Sequence, residues 1–321
     1  MSQRPASRPV LVDPHVHLWD LSHIRYPWLT PPFDTDNPNG SVEPIAVDYP
    51  LDAYLADASG QDDGQNGGQD DGQGWDVRGI VHIDAGAHAD DALKETQWLQ
   101  AMADARGLPS GIVAFAALHE DGVEGLLERH AAHPNVRGIR HIINWHPDPA
   151  RSYGGEDLTL LPAWERGFAL LARHGLSFDL QLYPGQMAHM AALIARHPDV
   201  QVIVNHTGMA IPSDPEGWDI WRKGMQALAA LPNVAVKISG MGFTYRPWTT
   251  DLVRPYVLET IEIFGTNRAM FASNFPTDKL FDSFQAHFNA YDTITRQFSQ
   301  TERHALFAQN ANQTYRLGLN I

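Results

Sequence analysis

Three histidines in this 321-residue chain could gather around one ligand. His15 and His17 are two positions apart in the apolar run that reads VLVDPHVH. Strand residues two apart share a face, so both imidazoles would point the same way. A lone HxH pair is also typical of ordinary polar residues, but two neutral imidazoles on one rigid strand can begin a metal site. His206, in the stretch NHTG, is the natural third imidazole. We predict that one divalent metal, with zinc as the first candidate, binds here weakly or not at all.

Charged side chains interrupt other apolar runs. Arg140 follows Gly138 and Ile139 in such a run. An arginine inside a strand needs an anionic partner, and two partners are open: a substrate carboxylate bound bidentately, or Asp179 in a structural ion pair. Lys237 and His82 interrupt two further runs. We expect the substrate-binding residues to be Arg140, Asp179, Lys237 and His82.

The elements that carry these residues follow a regular order. Eight short apolar runs, often β-branched, are typical of strands buried on both faces. Amphipathic helices lie between them, and after the first gap the strand starts are 24 to 40 residues apart, which is the spacing of β–α units. We predict strands at residues 10–16, 77–83, 111–118, 136–143, 176–182, 200–205, 234–238 and 268–273.

This order predicts a (β/α)₈ TIM barrel that forms a single domain over residues 1–321, with a long first βα connection. An open doubly wound sheet is the alternative, but no Gly-rich phosphate turn follows the first strand. Functional groups of a barrel lie at the C-terminal ends of its strands. Polar residues occur at nearly every predicted strand end, and core packing alone does not require them there.

Composition excludes several classes of function. The chain has 23 Lys and Arg against 38 Asp and Glu, a net charge of −15, so we expect no nucleic-acid partner. It has no cysteine, which rules out disulfides, thiolate nucleophiles and cysteine-bound zinc. No signal peptide and no membrane-length apolar run is evident. We therefore expect a cytoplasmic protein that acts on a small molecule away from membranes; its sequence fixes no oligomeric state.

One segment departs from this composition. Residues 60–74 read GQDDGQNGGQDDGQG and contain no apolar side chain. Such a segment cannot bury enough surface to offset its own ordering entropy. We expect it to be a mobile surface loop inserted in the barrel.

Several stretches together resemble one enzyme family. They are DPHVHLWD at 13–20, GIR at 138–140, NHTG at 205–208, VKISG at 236–240 and ASNFP at 272–276. Their order and spread are similar to the amidohydrolase superfamily, in the amidohydrolase-2 branch that contains 2-pyrone-4,6-dicarboxylate lactonase and sugar-lactone hydrolases. The resemblance implies a TIM barrel that hydrolyses lactones, in some members with a divalent metal and in others without. It places His15, His17 and His206 in the catalytic set.

The fourth member of that set departs from the family pattern. The family commonly has Asp after strand eight, as proton acceptor and metal contact, whereas this chain has Asn274. An amide cannot accept the proton of an attacking water, nor can it balance a dication. Some relatives carry a carboxylate four residues later, the place that Asp278 occupies. The resemblance therefore implies catalytic roles for His206, Asn274 and Asp278.

Three functions fit these residues. The first is a lactone hydrolase in which the three imidazoles stabilise the oxyanion, Arg140 holds a substrate carboxylate, and Asp278 or Asp179 is the base. The second is a metal-dependent decarboxylase of the same superfamily, which would need the carboxylate that Asn274 replaces. The third is a catalytically inactive barrel that only binds a ligand. We favour the lactone hydrolase, acting on an anionic substrate.

Overall fold

Eight parallel strands form a barrel in strict chain order. The computed structural model describes residues 9–33, 40–60 and 74–321, and strands one to eight pair successively. The first and last strands meet at one end, where the His17 amide donates to the Phe275 carbonyl over 2.8 Å and the Asn274 amide to the His15 carbonyl over 2.9 Å. The predicted (β/α)₈ barrel is confirmed. Its strands are β1 Val10–Val16, β2 Asp76–Ile83, β3 Gly111–Phe115, β4 Val136–Arg140, β5 Ser177–Leu180, β6 Val202–Val204, β7 Val234–Ile238 and β8 Ala269–Phe271.

Helices surround this barrel. The long connection from β1 to β2 is present as predicted, and it also contains the first of these helices. Residues 61–73 of the Gly/Asp segment, predicted to be a mobile surface loop, lie outside the described residues. The α-helices of the described chain are α1 Leu51–Ser59, α2 Ala92–Arg106, α3 Val123–Ala131, α4 Pro162–Leu170, α5 Met187–Ile194, α6 Gly217–Ala229, α7 Met241–Thr244, α8 Thr250–Phe264, α9 Phe284–Ile294, α10 Gln300–His304 and α11 Asn310–Thr314. None of the helices in the described ranges is long and apolar enough to cross a membrane.

Several strands end earlier than the sequence pattern predicts. β3 ends at Phe115 rather than Leu118, and β4 ends at Arg140 rather than Ile143. Leu118 and Ile143 are nevertheless buried. An apolar pattern records burial, and it does not record where the hydrogen-bond ladder stops.

The C-terminal region closes the opposite end of the barrel. Inward-facing residues of the strands, including Val12 and Met270, form one apolar cluster with Ala311 and Tyr315. Tyr315 follows α11 and is fully buried. The lower barrel is therefore a packed core, and the polar groups above it have a rigid floor.

Candidate functional site

The structure brings the three predicted histidines together at the C-terminal end of the strands. The ring of His15 lies 4.9 Å from that of His17 and 4.6 Å from that of His206, centroid to centroid. All three are at most 5% exposed. Burial, together with the cation Arg140, holds the pKa of each imidazole well below its usual range, and Lys237 adds to this effect at His15 and His206. The three rings are therefore neutral at physiological pH.

A buried carboxyl group holds the backbone at His15. Asp13 accepts hydrogen bonds from the amides of His15 (3.2 Å) and Ser273 (3.0 Å) and from the hydroxyl of Tyr54 (2.9 Å). These contacts join β1, the residues just after β8, and α1 at one point. Sequence reasoning gave Asp13 no role, although an aspartate within an apolar strand signals a side chain that needs buried donors.

The third histidine stands on strained backbone. His206, Thr207 and Met209 have φ of 52°, 56° and 44°, in the left-handed region that non-glycine residues rarely adopt. Trp221 and Tyr256 donate to the Thr207 carbonyl, each over 2.8 Å. Neighbouring helices thus hold a conformation that is costly by itself, a property that clusters at functional sites.

Asn274 connects the imidazoles to Asp278. The Asn274 backbone is also left-handed, with φ 59°, and its Nδ2 donates to Oδ1 of Asp278 over 2.7 Å. The other carboxyl oxygen of Asp278 accepts from the Gly240 amide at 3.1 Å. Burial raises the pKa of Asp278 to about 7. The structure therefore places a carboxyl group that titrates near neutrality directly behind Asn274.

The oxygen of the Asn274 amide faces an acceptor nitrogen of His17 when that ring is neutral. His17 Nδ1 donates to the Ile83 carbonyl over 2.8 Å, so the neutral ring keeps a lone pair on Nε2, 3.1 Å from Oδ1 of Asn274. Rotating the amide by 180° would turn Nδ2 toward His17 and Oδ1 toward Asp278. A protonated Asp278 satisfies that arrangement. Asn274 therefore couples the protonation of Asp278 to the hydrogen bonding of His17.

Arg140 has a partner that the sequence did not indicate. Its Nε donates to Oδ2 of Asp84 over 3.2 Å, Nη2 donates to the Asp84 carbonyl, and Nη1 donates to Gln181 over 3.2 Å. The proposed pair with Asp179 is wrong, because Asp179 lies against Lys237 instead. Since Asp84 offsets the guanidinium charge, the need for an anionic substrate no longer follows from charge balance.

Asp179 and Lys237 form a second buried ion pair, below the histidines. Both side chains are fully buried. Tyr315 donates its hydroxyl to the two carboxyl oxygens of Asp179, over 2.9 and 3.0 Å. The two residues therefore lie beneath the histidines, where Tyr315 from the floor of the barrel contacts Asp179.

His82 lies in the barrel wall rather than in its interior. Its neighbours Val81 and Ile83 belong to the inner apolar cluster, so His82 faces outward, and its Nε2 lies 3.8 Å from Glu95 on α2. Its Nδ1 accepts from the Leu18 amide at 3.2 Å. The strand alternation thus gives His82 a supporting position behind His17 instead of the expected contact with substrate.

Two buried groups at the site lack partners. Among the described residues, neither Nε2 of His15 nor the two polar atoms of the Asn205 side chain has a hydrogen-bond partner. Buried polar groups are usually paired, and leaving one unpaired costs about 1–3 kcal/mol. A ligand with oxygen atoms would satisfy them.

A separate cavity of about 280 Å³ lies among loops at the same end of the barrel. It is lined by residues that follow β4, β5 and β6, among them Trp145, Tyr183 and Asp214. His146 contacts Asp214 there over 2.9 Å. Sequence reasoning missed this cavity, because loop residues carry no periodic signal.

The donor set does not fit a tightly held divalent metal. His17 offers a lone pair at Nε2, but His15 Nδ1 faces the Lys237 ammonium at 3.2 Å, and Asn274 is uncharged. A dication would meet two nearby cations and no carboxylate in the imidazole cluster. No group of three or more His, Asp or Glu side chains in the described ranges is arranged to hold a metal ion.

Together, these features define a class of protein. A closed parallel barrel with imidazole, amide and carboxyl groups at the C-terminal ends of its strands is the arrangement of TIM-barrel enzymes.

The chain matches the amidohydrolase family over residues 12–317 and belongs to it, as the sequence motifs indicated. It is 44% identical over 310 residues to the uncharacterized protein y4mH of Sinorhizobium fredii, covering 96% of this chain and 98% of that protein. It is 28% identical over 235 residues to L-fucono-1,5-lactonase of Burkholderia ambifaria, covering 70% and 76%. A crystal structure of an amidohydrolase from Burkholderia multivorans with bound zinc has a TM-score of 0.74 at 23% identity, covering 96% of this chain and 99% of that one.

Proposed function

We propose that this enzyme opens a lactone by adding water to its carbonyl carbon, at the cluster of His15, His17 and His206. The observation that carries the proposal is a neutral, buried imidazole cluster with an unpartnered His15 Nε2, next to a carboxyl group whose pKa is near 7. Such a site can stabilise a negatively charged oxygen and can accept a proton at neutral pH. The L-fucono-1,5-lactonase relative supports the cyclic ester as the substrate class.

In this proposal each group has one task. Asp278, ionised, takes a proton from water as the water oxygen bonds to the lactone carbonyl carbon. The carbonyl oxygen gains the negative charge and accepts a hydrogen bond from the imidazole cluster, at Nε2 of His15. The ring C–O bond then breaks, and the departing oxygen takes up the proton, so that one lactone and one water give one hydroxy acid. Asn274 orients the carboxyl group of Asp278.

The chemistry proposed here does not require a bound metal. Neutral imidazole N–H groups can supply the oxyanion contacts, and removing one donor of this kind typically costs about 10²–10³-fold in kcat. The decarboxylase alternative has less support, because it needs a metal-binding carboxylate at the position where this chain has Asn274.

A panel of five- and six-membered lactones tests the proposal. Hydroxy acid release is measured for the wild type, for His206→Asn, and for His23→Asn as a matched control on an exposed histidine. We expect turnover by the wild type and by His23→Asn, and loss of turnover in His206→Asn. Ligand binding without turnover would instead identify an inactive binding barrel, and CO₂ release from aromatic acids would identify a decarboxylase.

A further inference from the structure

A line of buried contacts runs from the floor of the barrel to His15. Tyr315 donates to Asp179, Asp179 pairs with Lys237, and Nζ of Lys237 lies 3.2 Å from Nδ1 of His15. All four side chains are fully buried. Lys237 Nζ also lies 5.2 Å from the centre of the Tyr315 ring, so the ammonium group is held from three sides.

Counting donors and acceptors along this line fixes the protonation of the ring. The carboxylate of Asp179 only accepts, and it takes hydrogen bonds from both Tyr315 and Lys237. A charged lysine has three N–H donors and no acceptor. Nδ1 of His15 must therefore accept from Lys237, and the single proton of the neutral ring lies on Nε2.

This Nε2 proton has no hydrogen-bond acceptor among the described residues. Nε2 of His15 is buried and has no partner in the described part of the chain, while the rings of His17 and His206 stand on either side. An unpaired buried N–H is costly unless a ligand oxygen receives it. The Nε2–H tautomer also withholds the lone pair that a metal would need at this atom.

We propose that Lys237 is a positioning residue that locks His15 as the Nε2–H tautomer, which makes His15 a hydrogen-bond donor to the reacting oxygen and not a metal ligand. Asp179 and Tyr315 hold Lys237 in place. Residues at the closed end of the barrel therefore determine the tautomer of His15 at the open end. This inference rests on the proposed lactone hydrolysis for the identity of the reacting oxygen. The tautomer itself does not depend on the reaction, so it can be tested separately from lactone turnover. It replaces the substrate contact expected of Lys237 and Asp179 from the sequence.

Nitrogen-15 NMR of histidine-labelled protein tests the tautomer without any substrate. The His15 signals are assigned by their absence in His15→Asn. We expect the wild type to show a proton on Nε2 and a bare Nδ1. In Lys237→Met we expect this preference to be lost, whereas Lys223→Met, a matched change at an exposed site, should preserve it. A wild-type His15 that carries its proton on Nδ1 would overturn the inference, as would an unchanged tautomer in folded Lys237→Met.

Kinetics give a second readout on the same variants. Loss of one oxyanion donor predicts that kcat of Lys237→Met falls by about 10²-fold with little change in KM. If Lys237→Met does not fold, Tyr315→Phe keeps the ring and removes only the hydroxyl; a weakened Nε2–H preference supports the line of contacts, and a preference identical to wild type contradicts it. If no lactone is turned over, the proposed function fails, and the NMR result still decides the tautomer.

Discussion

The amide of Asn274 donates to the carboxyl group of Asp278 over 2.7 Å. The two residues are four apart, and the Asp278 amide in turn donates to the Asn274 carbonyl at 3.0 Å. A carboxyl group thus lies one turn beyond the position after strand eight, and the amide at that position faces His17. An uncharged amide therefore stands between this carboxyl group and His17.

The pH dependence of turnover should report Asp278. A general base must be ionised, and burial raises the pKa of Asp278 to about 7, so kcat/KM should rise with pH and level off above neutrality. Asp278→Asn should remove this rise and lower kcat/KM by about 10²-fold or more. Asp282→Asn, an exposed change in the same segment, serves as the control. A profile that is flat between pH 5 and pH 8 in the wild type would argue against Asp278.

Metal content should depend on residue 274. Three neutral imidazoles leave a dication uncompensated, so we expect sub-stoichiometric zinc in the purified wild type. Asn274→Asp adds a carboxylate beside His17 and should raise zinc per chain, measured by elemental analysis after dialysis against zinc and then buffer. One zinc per chain in the wild type, surviving dialysis against a chelator, would contradict this expectation.

Arg140→Met should lower stability. The variant leaves Asp84 buried without its cation, and breaking a buried ion pair in this way typically costs about 3–5 kcal/mol. The double variant Arg140→Met/Asp84→Asn should recover part of that loss, as measured by urea unfolding. A single variant as stable as the wild type would show that the pair contributes little.

The same variant tests whether Arg140 also binds substrate. If it anchors a substrate carboxylate, Arg140→Met should raise KM for a carboxylated lactone far more than for its neutral methyl ester. Equal effects on both substrates would assign Arg140 to the structure of the site alone.

The fold and the positions of the imidazoles could be predicted from the sequence, whereas the partners of the charged residues could not. The eight strands and the clustering of His15 with His206 follow from apolar periodicity and from strand ends, which are local features. The Arg140–Asp84 pair is not local, because Asp84 directly follows β2 and Asp179 lies on β5, so only the three-dimensional arrangement decides which carboxylate the guanidinium reaches. Tyr315 contacts Asp179 across 136 positions of sequence, and no pattern links them.

The backbone conformation at the mouth of the barrel could not be predicted from the sequence either. The left-handed run from His206 to Met209 is held by Trp221 and Tyr256 from neighbouring helices. His82 shows the reverse case. Its position between Val81 and Ile83, which both face the barrel interior, places its side chain on the opposite face of the strand.

The most direct test is kcat/KM of the chelator-treated wild type on a 1,5-lactone, measured as hydroxy acid formed. If the imidazole cluster and Asp278 hydrolyse the lactone, the reaction should be faster than the uncatalysed one by about 10⁶-fold, the lower end of the range for enzymes. Chelation should not change this rate. Turnover no faster than the uncatalysed reaction, or activity that appears only when zinc is restored, would contradict it.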